Sequence, residues 1–135
     1  MGAPVTRAAL RSHLLQLTGI VSSLAALVAL LDPDRVAGVM GLFLVGVNGY
    51  GQFFAVYVGV RMATALLAFK AAGARDMPLL GDLTAMFILA QPVGRVIAAF
   101  VIGLPQGSLL IVSGIEVAGG LALLALRPPA QSSRH

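Results

Sequence analysis

The chain has 135 residues, 59% of them hydrophobic and only 10% charged, with mean hydropathy +0.96. Soluble domains carry about 25% charged residues, so this composition excludes an ordinary water-soluble domain and predicts an integral membrane protein. The net charge of +4 does not signal nucleic-acid binding, because the basic residues are dispersed along the chain and no basic patch carries aromatic stacking groups. With no cysteine, disulfides, thiolate metal sites and cysteine nucleophiles are also excluded.

In chain order, residues 1–12 read as a short polar arm bearing Arg7 and Arg11. The apolar run that follows predicts a first membrane-spanning helix over about 14–31. It is longer than a signal-peptide core and lacks small residues at a cleavage position. Asp32, Pro33, Asp34 and Arg35 form a polar turn.

The next stretch, 36–69, contains little that is strongly polar beyond Asn48, Gln52 and Arg61. As a single helix it would measure roughly 51 Å, against roughly 30 Å for a bilayer core. The glycine-rich patch 46–51 is the natural place to divide it. The expected elements are therefore an interfacial or re-entrant helix over 36–47 and a second span over about 50–71. A polar loop leads to a third span over about 80–102, interrupted by Pro92, which should kink it. The turn 103–107 connects to a fourth span over about 108–126, and 127–135 forms a tail. The expected fold is a single all-α membrane domain, a four-transmembrane-helix bundle with one extra helix between spans one and two.

Charge supports the count. Four spans put Arg7, Arg11, Lys70, Arg75, Arg127 and Arg134 on one side and only Arg35 on the other. The positive-inside rule then predicts cytoplasmic N- and C-termini. Arginine outnumbering lysine, in a chain rich in Ala, Gly, Val and Leu, points to a bacterial inner-membrane protein from a GC-rich genome.

Three charges fall inside spans: Arg61, Arg95 and Glu116. An ionised group at mid-membrane costs roughly 3 kcal/mol on insertion scales unless it is paired or wet. Arg95 precedes Gly103 by eight residues and Glu116 follows Ser108 by eight, so each lies ~12 Å below the same turn. Adjacent antiparallel helices at equal depth predict an Arg95–Glu116 pair. Around these charges run polar stripes at helical spacing: Tyr57, Arg61 and Thr64; Gln91 and Arg95; Ser113, Glu116 and Gly120. Asn48 and Gln52 are expected to roof the site from the outer side. Ala90, Gly94 and Ala98 form a small-residue ridge suited to close helix contact. Met62, Met77 and Met86 read as packing residues, and Asp82 as a first-turn carboxylate complementing a helix dipole.

The pattern of Asn48, Tyr57-Val58-Gly59, Gly94-Arg95, Gly103-Leu104-Pro105 and Glu116 resembles a family of small bacterial membrane proteins known only as a domain of unknown function. The resemblance spans about residues 14–126 and implies a four-helix membrane bundle with no established activity. At the level of fold there is also an analogy to small integral-membrane isomerases and terpene cyclases, which is not evidence of shared function.

Two functions fit these residues. In the first, Glu116 and Arg95 are catalytic in a cofactor-independent proton-transfer isomerase or cyclase acting on a lipophilic molecule, with Arg61, Tyr57, Gln91, Asn48 and Gln52 binding the ligand. In the second, the chain is a non-catalytic accessory subunit or homo-oligomer, and Glu116–Arg95 is an ion pair that fixes helix register. Neither reading calls for a metal or cofactor. The expected partners are the lipid bilayer, a lipophilic small molecule and other membrane protein chains.

Overall fold

The computed structural model describes residues 6–129. The expected tail at 130–135 lies outside them. The described residues form five helices and no strand: α1 (Arg7–Leu31), α2 (Pro33–Val39), α3 (Gly46–Gly73), α4 (Pro78–Ile102) and α5 (Ser108–Ala125). All but α2 are long and apolar enough to cross a membrane.

α1 begins at Arg7 rather than near residue 14, with the Thr6 hydroxyl accepting from the Ala9 N–H at its start. Residues 7–12 of the expected polar arm are thus helix, residues 1–5 lie outside the described ones, and Arg11 and Ser12 are buried. The reason is tertiary: a basic residue is tolerated inside the bundle because an acidic partner on α4 meets it there. At the other end Asp32 caps α2 by accepting from the Arg35 N–H at 3.2 Å, and Pro33 takes the first helical position, where its missing N–H costs nothing.

The extra helix is shorter and earlier than the 36–47 expected. It stops at Val39 because Gly41 adopts φ +72° while the Leu42 N–H donates to the Ala37 carbonyl at 2.8 Å, a left-handed helix stop. The divide between the extra helix and the second span falls at residues 40–45. The patch 46–51 is the helical start of α3. Tyr50 donates to Asp34 Oδ1 at 2.6 Å, tying α3 to α2.

α3 has a feature that hydropathy does not reveal. Between two α-helical parts, Phe54–Val60 winds as a π-helix. Such wide turns are rare and cluster at functional sites. α4 starts at Pro78 and runs through Pro92 to Ile102 without a break.

The helices pack largely in chain order: α1 along α3, α3 along α4, and α4 along α5, with α1 meeting α5 more sparingly. Small residues build the seams. Ala26, Ala29, Ala65, Ala68 and Ala85 are nearly inaccessible, whereas Phe100, Val101 and Ile102 are each more than 80% exposed. Small side chains inward and large apolar ones outward is how helices associate when lipid removes the hydrophobic drive for large residues to hide. Two apolar clusters hold the ends. Leu15, Ala71, Ala72, Ala85 and Leu123 lie at the end where α1 starts, and Ala29 and Phe53 pack with Ala37 of α2 at the other.

Two packing expectations fail. Gly94 has nothing within 4 Å of where a Cβ would stand and Ala90 is exposed, so at these two positions the ridge seats no neighbouring helix, whereas Ala98 is half-buried. Met62, Met77 and Met86 are exposed on the apolar outer surface rather than packed inside.

Candidate functional site

Glu116 is the centre of the site. It is buried on α5, 6% exposed, and each carboxylate oxygen accepts from a different arginine. Arg61 Nη2 donates to Oε1 at 2.7 Å and Arg95 Nη1 donates to Oε2 at 2.5 Å. The depth-matched pair of α4 and α5 therefore forms, and Arg61 of α3 joins it as a second cation. Arg61 is the first residue after the π segment. Gln91, one turn before Arg95 on α4, accepts from both arginines through Oε1, at 3.3 Å from Arg61 Nη2 and 3.2 Å from Arg95 Nη2. Ser113, one turn before Glu116, accepts from Arg95 Nη1 at 3.0 Å and donates to the Leu109 carbonyl at 2.8 Å.

The arrangement holds two formal positive charges and one negative, so the cluster carries +1. The two guanidiniums are bound differently. Arg95 donates to Glu116, Ser113 and Gln91. Arg61 makes both of its contacts through Nη2 alone. Of the five N–H donors of a guanidinium, those on Arg61 Nε and Nη1 meet no acceptor among the described residues.

Arg61 and Tyr57 are the two polar residues lining a groove of about 400 Å³ between α1, α2 and α3, and little of their polar surface is open to it. The rest of the lining is apolar, including Val21 and Val28 of α1 and Val36 and Met40 at and just after α2. The Tyr57 ring stacks on Phe53, with centroids 4.6 Å apart and planes at 16°, and its hydroxyl makes no hydrogen bond among the described residues. The volume lies within the range of small-molecule sites.

Other expected members stand apart. Asn48 and Gln52 are exposed and make no hydrogen bond to the cluster. Gln52 precedes Arg61 by nine residues, roughly 13 Å along a helix axis, which is beyond side-chain reach. They do not roof the site. Thr64 is buried but turns back to donate to the Val60 carbonyl at 2.8 Å.

A second ionic cluster was not anticipated. Asp82 accepts from Arg11 Nη2 through Oδ1, and Arg127 Nε stands 3.2 Å from Oδ2. Arg11 Nη1 also donates to the Pro78 carbonyl at 3.1 Å, and Ser12 donates to the Ala72 carbonyl at 2.8 Å. Asp82 sits in the second turn of α4, so it clasps α1 and the end of α5 rather than complementing the helix dipole. Depth would have revealed it: Arg11, Asp82 and Arg127 each lie about one turn from the same end of the bundle. With residues 7–12 taken as a non-helical arm, Arg11 has no place at that depth.

No protein-family model matches the chain, and no curated protein or solved structure matches it either.

Proposed function

We propose that this chain is a multi-pass protein of the bacterial inner membrane whose Arg61–Glu116–Arg95 cluster serves a binding site for a lipophilic small molecule. The observation that carries the reading is the position of Arg61. It shares Glu116 with Arg95, retains free donors, and lines an apolar groove of ligand size. A cluster made only to hold helices together has no need of a cation with spare donors beside a groove. α2 lies at the bilayer surface in this reading, and the end bearing Lys70, Arg75 and both termini faces the cytoplasm. Kinship with the small bacterial membrane proteins that share its motifs belongs to the same proposal.

Binding is better supported than proton transfer. Both Glu116 oxygens already accept charge-assisted bonds, so a general acid or base role requires one arginine to let go first. An isomerase or cyclase remains the enzyme class that this site suits, with substrate entry displacing Arg61 from Oε1.

The structural alternative has its own support, because each member of the cluster finds partners inside the bundle. Mass spectrometry of small molecules co-purifying with wild-type protein and with Val28→Trp, which fills the groove, separates the two. A specific lipophile present in the first and absent from the second supports the site. Bulk phospholipid alone in both preparations favours an accessory or scaffolding role.

A further inference from the structure

We infer that the groove between α1, α2 and α3 takes an amphiphile with a single anionic group on an apolar body, with the anion seated on Arg61 and Tyr57. The inference rests on the groove being a ligand site, and adds the charge and pose of what occupies it.

The argument is one of charge complementarity at depth. Glu116 offsets one of the two guanidiniums, which leaves one unit of positive charge in a low-dielectric interior. Such a charge is costly unless an opposite charge or a set of acceptors meets it. Arg95 donates to three acceptors, Glu116, Ser113 and Gln91, and does not line the groove. The unmet capacity within reach of a groove ligand is therefore on Arg61, which lines the groove and whose Nε and Nη1 meet no acceptor among the described residues. An anion accepting from Arg61 would offset that charge through charge-assisted hydrogen bonds. The Tyr57 hydroxyl, one turn earlier on the same groove wall, supplies a further donor.

The groove sets the rest of the ligand. From Val21 to Val28 it follows α1 for seven residues, roughly 10 Å, so a body of medium length fits. The anion lies at the deep end. A neutral lipophile leaves the Arg61 charge unmet, and a cationic one repels it. An ordinary phospholipid holds its charged head at the bilayer surface and presents only acyl chain to the groove.

Equilibrium binding of radiolabelled decanoate, decanol and decylamine to the full chain in nanodiscs, corrected against empty nanodiscs, tests this. The pH is set well above the carboxylate range so that decanoate is ionised. Three proteins are compared: wild type, Arg61→Gln and Val28→Trp. Arg61→Gln leaves a neutral Arg95–Glu116 pair, so the fold is retained, and circular dichroism verifies this. The expected result is saturable decanoate binding that falls at least tenfold in Arg61→Gln and in Val28→Trp, with decanol and decylamine much weaker. If decanol binds as well as decanoate, Arg61→Gln changes nothing and Val28→Trp abolishes both, the anionic class is overturned while the ligand site stands. Preferential decylamine binding overturns it as well. Absence of saturable binding by all three probes overturns both this inference and the ligand-site reading.

Discussion

Replacing Glu116 by Gln keeps the shape of the side chain and removes the only negative charge in the cluster. The formal charge of the site rises from +1 to +2, and Arg61 and Arg95 are left sharing Gln91 as a neutral acceptor. Glu116 is 6% exposed, so the solvent screening that makes surface pairs weak does not apply. Breaking a buried pair from one side costs about 3–5 kcal/mol, roughly two to four decades in the folding equilibrium. Arg61→Gln moves the charge the other way, from +1 to zero, and leaves no buried charge uncompensated because Glu116 keeps Arg95, so it should cost at most ~1 kcal/mol. Arg95→Gln should fall between, since Arg95 also holds Ser113 and Gln91. The double variant Glu116→Gln/Arg61→Gln returns the site to +1 and should recover part of the loss, with a coupling of roughly 0.5–3 kcal/mol. Reversible unfolding in mixed detergent micelles, followed by circular dichroism, reads all four. The reasoning is refuted if Glu116→Gln stays within about 0.5 kcal/mol of wild type, or if Arg61→Gln is as costly as Glu116→Gln.

The second cluster should show a matching asymmetry. Asp82→Asn strands the 4%-exposed Arg11 and should cost about 3–5 kcal/mol in the same unfolding assay. Arg127→Ala removes a partner whose side chain is 58% exposed and should cost no more than ~1 kcal/mol. Two glycines of α4 should respond in opposite directions. A Cβ at Gly81 would stand 2.8 Å from Arg11 Cζ, and Gly81→Ala should destabilise by about 1–3 kcal/mol. Gly94 faces open space, and Gly94→Ala should stabilise by roughly 0.5–1 kcal/mol by restricting the unfolded chain. Tyr50→Phe removes the exposed hydrogen bond to Asp34 and should cost about 0.5–1.5 kcal/mol, read as faster amide exchange in α2 with the four long helices unchanged. For topology, reporter fusions at either terminus should both be active in the cytoplasm, and a reporter inserted after Gly41 should be active outside it.

Hydropathy along the chain was enough to count the four long helices, because a bilayer demands long apolar segments whatever the helices do to one another. It was also enough to match Arg95 with Glu116, since a tight turn forces two neighbouring helices into register and the two charges lie equally far from it. The rest required distant parts of the chain to meet. Arg11 reads as part of a polar arm until Asp82, 71 residues later, meets it inside the bundle. Without that partner an arginine at this position argues against burial in a span. The π segment before Arg61 left no mark in composition or spacing. Asn48 and Gln52 were placed by their polarity, which says nothing about which residues lie within side-chain reach. The groove beside Arg61 belongs to three helices at once, so no one of them announces it. Length and apolarity are local properties and are legible in a string of residues. Which buried charge finds which partner, and which one is left with donors to spare, is decided only when the helices are brought together.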